Sequence, residues 1–165
     1  MRKVLLCVLC FWGCGAPDAG GVPTAEAGVG AALDAGPTTL TLGTGTTAWQ
    51  PLEEELVLVH GPQGGWHLDL TARIGAGSVE GLVLSYRVTL DGRALEYPVR
   101  AVLSARRVLR EGDHWVRVGD RAVLDIGAPA EVAGRTVEVV ATLSRAEGAE
   151  VARDARSVRV VDRGR

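Results

Sequence analysis

From Thr39 onward, apolar and polar residues alternate with a period of two, the spacing of a strand with one buried face. In the run 66–74, Trp66, Leu68, Leu70, Ala72 and Ile74 fall on one side and His67, Asp69, Thr71 and Arg73 on the other. The run 81–91 repeats the pattern, with Leu82, Leu84, Tyr86, Val88 and Leu90 inward. It ends at Asp91-Gly92, a pair that tolerates the positive φ angles of a tight hairpin. A strand over 94–100 follows, and Pro98, with no N–H to donate, marks it as an edge or a bulge. Further strands are expected at 39–44, 55–60, 114–118, 121–126, 135–144 and 157–162, with Gly119-Asp120 joining the fourth to the third. Val137, Val139, Ala141 and Leu143 give 135–144 an apolar face. Segment 101–111 reads in two ways. Ala105, Val108 and Leu109 against Arg106, Arg107 and Arg110 suit a short amphipathic helix, and an irregular strand, the favoured reading, suits them too.

About seven to nine short strands with glycine-rich turns predict an all-β fold, an antiparallel β-sandwich over 39–163. The stretch Arg121-Ala122-Val123-Leu124-Asp125-Ile126, followed by Gly134-Arg135-Thr136-Val137-Glu138-Val139, resembles the closing strands of bacterial immunoglobulin-like domains. The resemblance spans the last third of the chain. It lacks the inter-sheet cysteines and the tyrosine corner of antibody domains. What it implies is an immunoglobulin-like module used for binding, spacing or assembly and not for catalysis, although fold alone does not decide function.

Residues 1–38 carry a different pattern. Arg2 and Lys3 precede Val4–Gly13, an apolar run of ten residues. As a helix it would rise about 15 Å, half of what a bilayer core requires, so it reads as the core of an export signal. The segment Phe11-Trp12-Gly13-Cys14 resembles the lipobox of bacterial lipoproteins, in which a small residue precedes the modified cysteine. Phe11 and Trp12 are bulkier than that family's usual residues. The resemblance implies a signal peptide over 1–13, a lipidated Cys14 and attachment to a membrane. An ordinary secretory signal, cleaved after Ala16 or Ala19, is the alternative. Gly15 in place of aspartate after the cysteine points to the outer membrane.

Residues 14–38 then form the tether. From Gly15 to Thr38, 16 of 24 residues are Gly, Ala or Pro. Burying Val22, Val29 and Leu33 would return at most about 9 kcal/mol, whereas ordering the backbone costs on the order of 24–48 kcal/mol. The segment is expected to be a flexible linker averaging about 27 Å end to end.

All three cysteines, Cys7, Cys10 and Cys14, lie in the first fourteen residues, so maturation leaves one thiol and no internal disulfide. Loss of Arg2 and Lys3 with the leader leaves 16 arginines against 20 acids, a balance unsuited to nucleic acid. The partners expected are the membrane, through the lipid on Cys14, and a protein of the cell envelope.

One stretch carries candidate chemistry, His60-Gly61-Pro62-Gln63-Gly64-Gly65-Trp66-His67. If Val59 pairs with Leu68, His60 and His67 face each other with Asp69 beyond them. Two imidazoles and a carboxylate suit Cu(II) or Zn(II). His60, Gln63, Trp66 and His67 are therefore the candidate binding residues for a small ligand or metal. The plainer reading, a glycine-built turn with histidines at its rim, stands beside it and carries no cofactor. Gly77-Ser78-Val79-Glu80-Gly81 is not a nucleophile elbow, because no helix follows it. Glu53–Glu55 and Arg106-Arg107 read as solvated faces. Trp49 and Trp115 read as rim residues, while Trp66 and Tyr86 fall on inward phases.

Overall fold

The structure, a computed structural model, describes residues 37–164, so the predicted signal peptide, Cys14 and nearly all of the linker lie outside the described residues. The described chain is all-β. Its strands are β1 (Thr39–Thr44), β2 (Gln50–Pro51), β3 (Glu55–His60), β4 (Trp66–Gly75), β5 (Val83–Leu90), β6 (Arg93–Ala94), β7 (Val99–Val102), β8 (Leu109–Glu111), β9 (His114–Leu124), β10 (Thr136–Ser144) and β11 (Glu150–Asp162). A single 3₁₀ turn, Pro129–Glu131, interrupts them, and there is no α-helix among the described residues.

The eleven strands form one mixed, unclosed sheet: eight follow the path β2-β1-β4-β3-β11-β10-β5-β6, and β7, β8 and β9 branch from it. β4 is its hub. One edge of β4 pairs with β9, which pairs in turn with β8. The other edge is shared: β1 takes Thr71–Gly75 and β3 takes Trp66–Leu68. β3 also lies parallel to β11, with Glu55 opposite Arg159 and Leu58 opposite Asp162. β11, β10 and β5 continue antiparallel, and β5 shares its far edge between β7 and β6.

Inward residues of β1, β3, β4, β5, β9, β10 and β11 pack into one cluster containing Leu42, Leu58, Leu70, Ile74, Leu84, Val88, Val139, Leu143 and Val160. Two polar bonds join strands that do not pair with each other. The Leu42 N–H of β1 donates to Asp154 Oδ2 of β11 at 2.8 Å. Tyr86 of β5 donates its hydroxyl proton to Asp120 Oδ2 of β9 at 3.0 Å.

The expected arrangement of seven to nine antiparallel strands is corrected in number and in sense. The β3–β11 pair is parallel: β3 pairs antiparallel with β4 through its last residues and parallel with β11 through its first. Predicted strands 114–118 and 121–126 are one strand, β9. Gly119, at φ 73°, does not reverse the chain there but lets it bulge, and both halves pair with the long β4. The predicted strand 94–100 is divided. Residues 95–97 cross from β5 to β9: Leu95 N–H donates to Val88 O at 2.8 Å, and Tyr97 N–H donates to Val123 O at 3.0 Å. The Val88 N–H, left without a backbone acceptor, is taken by Glu96 Oε2 at 2.8 Å. Segment 101–111 holds the end of β7, a turn closed by Arg107 N–H to Ser104 O, and β8; it contains no helix. The last strand starts seven residues before the expected Ser157, at Glu150. Its added part alternates weakly, since Val151 and Ala152 are its only half-buried apolar residues. The Asp91-Gly92 hairpin forms as expected, with φ 51° and 79° at the two positions.

Candidate functional site

The 60–67 loop closes on Gly61 N–H to Gly65 O and Gly64 N–H to Gly61 O, both 3.0 Å. Gly64 and Gly65 supply positive φ, 84° and 81°. The register of the flanking strands pairs Leu58 with Leu68, Val59 with His67 and His60 with Trp66. This corrects the expected pairing of Val59 with Leu68 by one residue, and a one-residue slip moves a side chain to the opposite face. The cause lies in β3, where the core takes Leu56 and Leu58 and leaves Val57 and Val59 half-buried on the outer side.

The two histidines therefore stand on opposite faces. His60 is exposed at the rim of the core face, its ring 4.7 Å from that of Trp66 and tilted by 47°. Trp66 packs half-buried against the core, and Gln63 is exposed in the loop. His67 is buried on the outer face, with Nε2 3.4 Å from Asp69 Oδ1. Arg121 Nε lies 3.7 Å from the same oxygen. Burial holds the His67 imidazole below its usual pKa, assisted by Arg121 and opposed by Asp69. The loop thus brings His60 and Trp66 together and sends His67 elsewhere, so the two imidazoles cannot share an ion.

Along the outer face of β4 the chain covers itself. Thr71 donates to Thr44 O at 3.1 Å and Thr44 donates to Asp69 O at 3.0 Å, holding residues 44–50 against the strand. Trp49 lies with its ring centroid 5.3 Å from the Arg73 guanidinium. It sits directly on Gly43, where a Cβ would collide with the indole nitrogen and with the Gln50 carbonyl. Trp115 is likewise committed: its indole N–H donates to Ala76 O at 3.1 Å, and the Arg110 guanidinium lies 4.6 Å from its ring.

The outer face of β5, β10 and β11 is different. It carries a cleft of about 600 Å³, within the range of small-ligand sites. Its shape follows from the register. Arg100 on β7, Ser85 on β5, Thr142 on β10 and Arg153 on β11 stand in one transverse row. Arg87, Val140 and Ala155 form the next row, and Thr89, Glu138 and Ser157 the third. Small side chains make the floor and long arginines make the walls.

The cleft's two acids are already engaged, Glu96 with the Val88 N–H and Glu138 with the Thr89 hydroxyl at 3.3 Å. Arg87, Arg100 and Arg153 are exposed and form no ion pair among the described residues. Reading the sequence alone missed this cleft. The alternation of β5 does place Ser85, Arg87 and Thr89 outward, but nothing local tells that β10, β11 and β7 bring Arg153 and Arg100 to the same surface.

No family model matches the chain, and no curated protein matches it at significant similarity.

Proposed function

We propose that this chain is a lipid-anchored protein of the cell envelope whose immunoglobulin-like β-sandwich docks a protein partner without catalysing a reaction. The observation that carries the reading is strand order. Immunoglobulin-like domains set strands A, B, E and D in one sheet and C, F and G in the other. Here β1 and β3, β4, β9 and β8 follow the first order, and β5, β10 and β11 follow the second. The parallel pairing of β3 with β11 links the two groups at one side. Buried Tyr86 lies on β5, the counterpart of the strand on which antibody domains carry a buried tryptophan.

The anchor rests on the short apolar run ending at Gly13-Cys14, and the glycine-rich segment behind it gives the domain reach. With more than one acyl chain on Cys14, attachment to an outer membrane is stable, where a single chain would give only marginal, reversible binding.

Metabolic labelling with an alkyne fatty acid tests the anchor. The wild-type chain takes the label and sediments with membranes, and Cys14→Ser does neither; an unlabelled wild type overturns it. A photo-crosslinker at position 142, on the open face, should give one discrete envelope adduct that is absent when the crosslinker is at position 71, under the 44–50 segment. Equal adducts from both positions would remove the docking face.

A further inference from the structure

We infer that the cleft over β5, β10 and β11 is a receptor for an extended acidic peptide segment, one bearing carboxylates on alternate residues. The inference rests on the docking reading above and names the chemistry of the partner.

The whole chain carries a formal charge of -2, which by itself repels a polyanion. Attraction must therefore be local, and the cleft provides it. Arg87, Arg100 and Arg153 project into one hollow and outnumber its two carboxylates, Glu96 and Glu138, each of which already accepts a hydrogen bond from the protein. Guanidinium groups suit carboxylates because their planar fork donates two parallel hydrogen bonds.

The spacing also fits. Arg100 and Arg153 are three strand steps apart, about 14 Å at 4.7–4.9 Å per step. Arg87 lies one step from Arg100 and one row further along. An extended peptide crossing the strands presents side chains i, i+2 and i+4 on one face, at intervals of about 7 Å and a total of about 14 Å. Three alternate carboxylates thus span the distance between the walls. The floor favours a peptide over a sugar chain: Ser85 and Thr142 offer hydroxyls and Val140 a small apolar surface, and the one aromatic residue of the lining, Tyr86, is buried with its hydroxyl bonded to Asp120, which leaves no exposed ring for a pyranose to stack on.

Titration of the purified full-length chain with hexaglutamate, followed by calorimetry, tests the inference. Binding should be saturable, weaken as salt rises from 0.15 to 0.5 M, and fall about five- to tenfold for each of Arg87→Ala, Arg100→Ala and Arg153→Ala. Arg106→Ala, on an exposed turn outside the cleft, should bind as wild type does. If a cleft variant fails to fold, chemical-shift mapping on the wild type decides instead, and hexaglutamate should move the amides of β5, β10 and β11 and spare those of β8.

Absence of binding, or equal losses in Arg106→Ala and the cleft variants, overturns the inference. So does tighter binding of a sulfated polysaccharide or of inorganic phosphate than of hexaglutamate. A discrete envelope adduct at position 142 without hexaglutamate binding would remove the acidic ligand and leave the docking reading. Hexaglutamate binding with no preferred adduct at position 142 would do the reverse.

Discussion

Replacing Tyr86 by phenylalanine removes one oxygen from the interior and takes the donor from one oxygen of a buried carboxylate. The Tyr86 hydroxyl donates to Asp120 Oδ2, and both residues are buried, at 4% and 6% exposure. Asp120 Oδ1 is held by Arg117, through Nε at 2.9 Å and Nη2 at 2.8 Å. Once the hydroxyl is gone, Oδ2 has neither its donor nor ready access to water. A hydrogen bond to a charged group contributes about 1.5–3 kcal/mol. For a domain of this size, at about 4 °C per kcal/mol, Tyr86→Phe should lower the melting midpoint by about 6–12 °C.

A double-mutant cycle separates this bond from loss of packing. In an Asp120→Ala background, Tyr86→Phe should cost less than about 0.5 kcal/mol, giving a coupling of at least about 1 kcal/mol. The pH dependence supplies a second readout. Burial, and then the Asp120 charge, raise the Tyr86 pKa well above 10. The native state therefore keeps the phenolic proton that the unfolded chain releases. The resulting stability is complete below pH 10 and is lost as pH rises beyond it. Wild type should lose stability above pH 10 more steeply than Tyr86→Phe. Equal costs of Tyr86→Phe in both backgrounds, measured by urea denaturation, would refute the reasoning.

Two further outcomes follow from the outer face of β4. The His67 pKa is lowered by burial, so the unfolded chain binds the proton more readily. Stability should be complete above pH 6.5 and decline as pH falls below it toward the native-state value, and His67→Gln should flatten that decline in urea melts between pH 5 and 7.5. Gly43→Ala should cost about 1–3 kcal/mol as an overpacking change. Trp49→Ala in the same chain should recover only part of this, because the Gln50 carbonyl also blocks the new Cβ; full recovery in thermal melts would contradict the geometry.

What the sequence makes legible here is local. Alternation identifies the inward residues of β4, β5 and β10 because each strand buries one face, and Asp91-Gly92 announces its turn because both residues tolerate positive φ. β3 is harder. Leu-Val-Leu-Val over 56–59 is apolar on both faces, so its phase cannot be read from its own residues. The one-residue misreading of phase there is what placed His60 and His67 on a common side. Gly119 misleads for a related reason: a glycine with positive φ serves a turn or a bulge equally, and only the length of β4 decides between them.

The two outer faces also show why the candidate site moved. The polar row of β4 invites a ligand when read as sequence, yet Thr44, Thr71 and Trp49 spend it on holding the 44–50 segment. The row over β5 and β10 is plainer as sequence, with Ser85, Thr89 and Thr142 as its unremarkable members. Of the segments between its strands, Glu96 bonds the Val88 N–H of β5 at its rim, and its arginines come from strands remote in sequence. Charge that is exposed and unspent, over a floor of small side chains, leaves room for an outside partner, whereas charge already bonded to the chain's own loops does not. On that ground the docking surface we propose is the β5–β10–β11 face, and not the 60–67 loop, whose register sets His60 and His67 on opposite sides of the β3–β4 hairpin.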